Sequence, residues 1–262
     1  IDRLEGTSAH RLVEECMVAA NRCAAAFLQR ECESGLFITH AGLRDERADA
    51  LRQVLAEHCP DLANVDPTSL DGFRQLMNAQ AVLPHDLLLR SLLVRQLERT
   101  ELSAQAAPHQ GMGLPAYTTM TSPLRKWLDF LVHRQIKACL RGAPGKGPDS
   151  ATLSALQAAL NLARQAMNEV EQAYRCQYLA SRVGETAEGM IIRVLPAGFT
   201  VRLDDTGIEG FVSVKDLPGK YPFDPLLMTL QGEAGLFRLD QRVQVRVLEV
   251  ESDRRNIRFG LA

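Results

Sequence analysis

The spacing of apolar residues changes from a helical period to an alternating one at Val183, and this change constrains the fold more than any other feature. Upstream, apolar residues recur at intervals of three and four, which predicts amphipathic helices. Helices are predicted at residues 8–30, 45–59, 70–80, 84–97 and 150–182. Downstream, apolar and polar residues alternate between turn signals, which predicts strands. Strands are predicted at residues 187–194, 198–203, 210–214, 242–249 and 256–261.

Five short strands of this kind fit a small oligonucleotide-binding (OB) barrel. The predicted class is therefore α+β, with a mostly helical part at residues 1–182 and a five-stranded OB-type barrel at residues 183–262. A long insertion, from Pro218 to Leu239, separates the third strand from the fourth. Residues 143–148 are rich in glycine and proline and are predicted to form an exposed linker.

A further helix is predicted to begin at Pro123, with Ser122 as its N-cap, and to follow a turn that contains Gly111 and Gly113. Ser122 is a good N-cap, Pro123 suits the first helical position, and Arg125 falls in the first turn. The predicted packing stripe is Leu124, Leu128, Leu131 and Ile136, with Trp127 beside it. Free amides, a hydroxyl and a guanidinium at one helix start favour an anion such as phosphate. The alternative is an ordinary capped helix with a solvated arginine.

The run from Tyr117 to Arg134 reads YTTMTSPLRKWLDFLVHR. It resembles the signature YxxxTSPIRRYxDLxxHR near the end of the catalytic RNB domain of the ribonuclease II family. The resemblance implies that Arg125 holds a phosphate near the scissile bond and acts in catalysis. It also implies RNA contacts for the other motif residues Tyr117, Thr121, Ser122, Lys126 and His133.

The first helix carries the run LVEECMVAANRCAA, which is similar to the family's (I/L)xEExMxxAN helix. In the family this helix lines the RNA channel, so the resemblance implies ribose or base contacts for Glu14 and Asn21. These residues are seven apart and therefore share one helix face. The alternative for Glu14 is a solvated surface. The predicted core face of this helix is Leu12, Val13, Cys16, Met17, Ala20, Ala24, Phe27 and Leu28.

The segment from Val183 onwards is similar to the S-one-type RNA-binding module. The resemblance implies that Phe199 and Phe211 stack on bases, although barrel core is the alternative for each. Ser213 stands where the module usually has histidine, and Lys215 is the residue expected to supply charge instead. Two aromatic residues of the insertion are further candidates for stacking: Tyr221 and Phe223.

Composition limits the partners. The net charge of −2 excludes a uniformly basic surface, yet residues 90–141 carry eight basic and three acidic residues. No apolar run is long enough for a membrane span. The six cysteines are scattered without CxxC spacing, which predicts buried free thiols in a reducing cytoplasm rather than disulfides or zinc. A cytoplasmic monomer that does not interact with membranes is expected.

Two candidate metal sites have simpler explanations. His40 has no further ligand at suitable spacing and is expected to be a structural turn histidine. Asp204 and Asp205 precede Thr206-Gly207 and are explained by a hairpin turn. Ribonuclease II enzymes bind Mg²⁺ through four clustered aspartates, and no run of this chain matches that cluster. Mg²⁺ is therefore expected only for a longer enzyme.

The resemblance implies the C-terminal part of a 3′-to-5′ exoribonuclease that hydrolyses single-stranded RNA to nucleoside 5′-monophosphates. These 262 residues alone are expected to be inactive. One alternative is a non-catalytic RNA-binding relative. Another is a scaffold whose barrel binds protein, because residues 183–262 carry ten basic and twelve acidic residues.

Overall fold

The computed structural model describes residues 6–32, 34–143, 145–233 and 235–262. Pro144 of the predicted linker lies outside this part of the chain. Within it, the helices are α1 Ser8–Glu31, α2 Asp45–His58, α3 Leu70–Asn78, α4 Leu89–Arg95, α5 Trp127–Leu140 and α6 Ser150–Ala180. The first seven strands are β1 Phe37–Thr39, β2 Val82–Leu83, β3 Leu87–Leu88, β4 Glu101–Ser103, β5 Thr186–Leu195, β6 Gly198–Leu203 and β7 Glu209–Ser213. The remaining strands are β8 Phe223–Asp224, β9 Thr229–Gly232, β10 Gly235–Phe237, β11 Arg242–Glu251 and β12 Asn256–Leu261.

Two predicted helix starts are wrong. Residues 84–88 form a 3₁₀ turn and the short strand β3, so α4 begins only at Leu89. Residues 85 and 86 both have positive φ, a backbone conformation that interrupts a helix. Helix α5 begins at Trp127 and not at Pro123, and Lys126 rather than Ser122 is in the N-cap position. The predicted packing stripe changes accordingly, since Leu128 is buried whereas Leu124 is 103% exposed.

Strands β5, β6, β7, β12 and β11 form a closed barrel in that order, which confirms the predicted OB-type barrel and the α+β class. Neighbouring strands are antiparallel except β12 and β7, which are parallel. Inward-facing residues alternate along each strand and fill the interior, as in other small barrels. The insertion from Pro218 to Leu239 contributes a separate sheet in the order β10-β9-β8.

The buried residues form two clusters. One joins α1, β1 and α5 through residues such as Leu28, Phe37 and Val132, and the first half of α6 packs against it. The other joins α2, α3 and α4 to the barrel and to the end of α6, where Leu179 is fully buried. Each such Leu or Phe contributes about 1.5–3 kcal/mol of hydrophobic stabilisation. Helix α6 therefore packs on the first cluster at its start and on the second at its end.

The cysteine prediction is wrong in two ways. Cys32 and Cys139 form a disulfide, with their Cα atoms 7.0 Å apart. Both lie at helix ends, since Cys32 follows α1 and Cys139 is in the last turn of α5, and these helices pack side by side. Four cysteines are free as predicted, but Cys16 and Cys23 are exposed rather than buried.

Candidate nucleic-acid interface

Residues 117–126, called the motif loop, run between Ala116 and α5 without regular secondary structure. Within it, the backbone amides of Arg125 and Lys126 both donate to the carbonyl of Ser122, at 3.2 and 2.9 Å, and close a turn. Ser122 is therefore a turn residue and not a helix cap. Arg125 is exposed in this turn, two residues before the first residue of α5.

The carboxylate of Asp129, in the first turn of α5, holds the motif loop in place. One of its oxygens accepts the hydroxyl of Thr119 at 2.8 Å, and the other accepts the amide of Ser122 at 2.7 Å. Asp129 is fully buried, and a buried carboxylate requires such partners. Asp129 thus accepts the amide of Ser122, the residue that was predicted to cap the helix, and an aspartate four residues after the motif arginine was the available signal.

Asn21 connects α1 to the motif loop. Its amide nitrogen donates to the phenol oxygen of Tyr117 at 2.9 Å, and its amide oxygen accepts the backbone amide of Met120 at 2.8 Å. Nε2 of His133 lies 2.8 Å from the carbonyl of Met120. Asn21 is buried, so these contacts fix the loop against α1 and α5.

A cleft of about 490 Å³, called the α1 cleft, lies between α1 and the motif loop. It brings together five of the predicted contact residues: Glu14, Asn21, Tyr117, Thr121 and Lys126. This confirms that Glu14 and Asn21 share a helix face. Ser122, Arg125 and His133 do not line the cleft. The start of α1 is open on this side, because Leu12 and Val13 are 67% and 58% exposed, contrary to their predicted burial.

The two barrel phenylalanines that were predicted to stack on bases, Phe199 and Phe211, differ in position. Phe199 is fully buried, and its ring stacks on Phe237 with centroids 4.6 Å apart. It has no exposed face for a base, so it belongs to the barrel core rather than to the predicted RNA contacts. Phe211 is half-buried on β7, and its ring lies over Gly198 of β6. The ring is so close that a Cβ atom added to Gly198 would lie only 2.7 Å from it. Phe211 therefore remains a candidate for stacking.

Lys215 is exposed in a 3₁₀ turn after β7, and its amide donates to the Ser213 hydroxyl at 3.2 Å. The aromatic residues of the insertion are less accessible. Tyr221 is buried against Phe237, with centroids 5.7 Å apart, and Phe223 is half-buried. Tyr221 is thus a core residue and not the stacking group that was expected.

His40 is confirmed as a turn residue. Its Nδ1 accepts the amide of Gly42 at 3.0 Å, and its ring lies 5.2 Å from that of His109. The ring of His109 in turn meets Tyr117 edge-on at 5.6 Å, which links this pair to the α1 cleft. Burial lowers the pKa of His109, and the neighbouring His40 lowers it further.

No group of three or more His, Cys, Asp or Glu side chains among residues 6–32, 34–143, 145–233 and 235–262 is placed to hold a metal ion. Asp204 and Asp205 lie in the β6–β7 turn, as expected, and form ion pairs with Arg242 at 2.6 Å and Arg182 at 3.1 Å. Both oxygens of Asp129 already accept hydrogen bonds. The described residues therefore do not fit the Mg²⁺ site that the ribonuclease II family implies.

Comparison with known proteins defines the class. The family model for the RNB domain matches residues 1–142, and that for the S1 RNA binding domain matches residues 181–261. The chain belongs to the ribonuclease II family of RNB-domain proteins.

Curated relatives include Ribonuclease R of Vibrio cholerae, which is 31% identical over 280 residues covering 100% of this chain and 34% of the relative. Exoribonuclease 2 of Pasteurella multocida is 32% identical over 267 residues, covering 95% of this chain and 40% of the relative. The chain thus spans between a third and two fifths of the length of these relatives.

The fold resembles that of Mycoplasma genitalium RNase R, solved in its apo form and in complex with ribose methylated single-stranded RNA. The TM-score is 0.68 at 17% identity, covering 99% of this chain and 42% of that chain. Among the helices that the structure describes, none is long and apolar enough to cross a membrane.

Proposed function

We propose that this chain supplies an RNA-binding cleft and the C-terminal barrel of a 3′-to-5′ exoribonuclease that hydrolyses single-stranded RNA to nucleoside 5′-monophosphates. The observation that carries the proposal is the α1 cleft, in which five predicted contact residues converge. The names of the relatives, Ribonuclease R and Exoribonuclease 2, support the class of reaction. The single-stranded RNA in the Mycoplasma genitalium structure supports the class of substrate.

The groups in the cleft match a ribose–phosphate backbone. Because Asn21 donates to the phenol oxygen of Tyr117, the phenol hydrogen is left to donate to a ligand. The Thr121 hydroxyl and the Lys126 ammonium add two more donors for phosphate oxygens. Glu14, on the opposite wall, is an acceptor suited to a ribose hydroxyl. Arg125, outside the cleft, is proposed to hold the phosphate at the scissile bond.

Mg²⁺ would stabilise negative charge at the phosphorus, but the described residues offer no ligand set for it. Hydrolysis is therefore proposed only for a longer protein that carries the family's aspartates. The 262 residues should bind RNA without cleaving it. Incubation with labelled oligouridine and Mg²⁺ should leave the RNA intact, and stepwise release of mononucleotides from a nuclease-free preparation would contradict this.

Binding is tested by fluorescence anisotropy with oligouridine and oligodeoxyuridine. Lys126→Ala should lower RNA affinity roughly tenfold, as expected for loss of a charge-assisted hydrogen bond. Lys137→Ala, which removes the same charge from an exposed position on α5 outside the cleft, is the matched control. Glu14→Gln should weaken RNA binding more than DNA binding, because only RNA has the 2′-hydroxyl. Equal effects of Lys126→Ala and Lys137→Ala would refute the cleft assignment.

The alternative function, a non-catalytic RNA-binding relative, predicts the same binding results. It differs in the longer protein, which would bind RNA and fail to degrade it. The sequence upstream of Ile1 separates the two, since a cluster of four aspartates there favours the enzyme. The proposal also keeps the expectation of a monomer acting in the cytoplasm, which size-exclusion chromatography and cell fractionation test.

A further inference from the structure

A second cleft lies between the middle of α6 and one end of the barrel. It measures about 830 Å³ and is called here the α6 cleft. One wall consists of polar α6 residues between Asn161 and Arg175. The facing wall consists of Arg99, of Glu209 at the start of β7, and of Arg255 in the turn between β11 and β12. None of these residues belongs to the α1 cleft.

The α6 wall is not required for packing. Every residue from 161 to 171 is exposed, because this part of α6 lies between the two buried clusters. Four carboxamide side chains line the cleft at intervals of four, three and four, which places them on one helix face: Asn161, Gln165, Asn168 and Gln172. They extend over about 16 Å at a rise of 1.5 Å per residue. The cleft therefore presents a row of neutral groups that both donate and accept hydrogen bonds.

The cleft also carries an excess of positive charge. Four arginines and two glutamates line it: Arg99, Arg164, Arg175, Arg255, Glu169 and Glu209. Arg255 pairs with Glu169 at 2.9 Å, and Arg202 neutralises Glu209 from outside the cleft, also at 2.9 Å. Within the described chain, Arg99 and Arg164 form no ion pair and are free to bind an anion.

The α6 cleft opens onto the barrel face that carries Phe211. Glu209 and Phe211 are two residues apart on β7, so their side chains emerge on the same face of the strand. Arg258 of β12 is the cross-strand neighbour of Phe211. At its other end, the cleft shares Arg99 with a further cleft of about 940 Å³. Glu209 therefore connects the α6 cleft with the barrel face of Phe211, and Arg99 connects it with the further cleft.

We propose that the α6 cleft binds the ribose–phosphate backbone of single-stranded RNA beyond the nucleotides held at the Phe211 face. Arg99 and Arg164 would contact phosphates, and the carboxamides would exchange hydrogen bonds with phosphate oxygens and 2′-hydroxyls. The length of the row favours a polymer over a single anion. Its continuity with an aromatic barrel face favours RNA over an acidic peptide, since bases stack on such rings. The inference rests on the proposed function only in requiring that the chain binds RNA.

The test uses the double variant Arg99→Gln/Arg164→Gln, which removes two charges and keeps hydrogen-bonding groups. The matched control is Arg90→Gln/Arg141→Gln, which makes the same charge change at exposed positions outside both clefts. Affinity is measured by anisotropy over a range of salt concentrations. The probes are a short oligouridine of about 6 nucleotides, within the site size of one OB fold, and a long one of about 20.

For the long probe, the cleft variant should bind roughly tenfold more weakly at low salt, with a salt slope about 1.4 smaller, because two phosphate contacts are lost. The short probe should bind both variants alike, and circular dichroism should show an unchanged fold. Equal binding of the long probe by the cleft and control variants would overturn the proposal. Equally strong competition by a polyglutamate peptide would overturn the assignment to RNA. Failure of the unmodified chain to bind either probe would instead refute the proposed function itself.

Discussion

The buried carboxylate of Asp129 accepts the backbone amide of Ser122 at 2.7 Å and thereby sets the position of the turn that carries Arg125. Its other oxygen accepts the Thr119 hydroxyl, so a single side chain binds the motif loop at two points. Asn21 and His133 bind the same loop at Met120. The loop is thus held from both α1 and α5, although it has no regular secondary structure.

Replacing Asp129 should therefore be costly. Asp129→Ala leaves the Ser122 amide and the Thr119 hydroxyl unpaired in a buried site, which should lower the free energy of unfolding by about 2–5 kcal/mol. Asp129→Asn keeps one acceptor and should cost less. Urea denaturation measures both, with the exposed Asp61→Asn as control. If Asp129→Ala is as stable as that control, Asp129 does not hold the loop.

Arg125 should affect turnover and not folding. It is exposed, so Arg125→Ala should leave the stability of this chain within about 0.5 kcal/mol of the original. In the longer enzyme, loss of a charge placed where negative charge develops should lower turnover roughly 10²–10³-fold. Arg125→Lys should restore only part of this, because lysine lacks the bidentate guanidinium. RNA affinity should fall much less than turnover.

The measurement for Arg125 is single-turnover cleavage by the longer enzyme, with an RNA-binding titration alongside. Arg141→Ala, at the exposed end of α5, is the control. Near-normal cleavage by Arg125→Ala would mean that the motif arginine has only a structural role.

Phe199 and Phe211 should give opposite results when each is replaced by alanine. Phe199→Ala removes a fully buried ring and should destabilise the barrel by about 3–5 kcal/mol. Phe211→Ala should cost little stability but weaken RNA binding by about 1–3 kcal/mol, the contribution of one stacked base. Thermal unfolding and anisotropy of the two variants are compared at one salt concentration. Unchanged RNA affinity of a folded Phe211→Ala protein would rule out stacking at this position.

Stability should also depend on pH through His109. Its pKa is lower in the folded state than the ordinary value near 6.5, so the unfolded state binds the proton more tightly. The stabilising contribution is therefore complete above about pH 6.5 and falls as the pH is lowered through that value. His109→Asn, whose side-chain oxygen can still accept the Met112 amide, should flatten this dependence between about pH 5 and 7. An unchanged slope would show that His109 does not contribute.

Local patterns in the sequence were sufficient for most of the elements. Strands β6 and β12 have the predicted ends, because alternation between clear turn signals defines both. Helix α1 was also placed correctly, but three of the eight residues on its predicted core face, Leu12, Val13 and Cys16, are exposed. Periodicity identifies which residues share a face, whereas burial of that face depends on which elements pack against it.

The prediction of the α5 start failed for a related reason. Ser122-Pro123 is a good local helix start, but the motif loop satisfies the Ser122 amide through Asp129 and closes a turn first. A competing acceptor seven residues away outweighed the local preference. Likewise, Phe199 and Phe211 lie on adjacent strands with similar sequence contexts, so the local sequence does not show which ring is buried. Only the closure of the barrel decides that the ring of Phe199 is enclosed.

By itself, the sequence determined the fold class, the family and the set of residues from which the site is built, because these depend on periodicity and on a long motif. Only the tertiary structure decided how those residues are arranged. It placed Glu14 and Lys126 in one cleft, gave Asn21 and Asp129 the role of holding the motif loop, and joined Cys32 to Cys139. The Asp129 contacts span only seven and ten residues, but the other contacts join residues distant in the chain, and their meeting depends on how the helices pack rather than on any local preference.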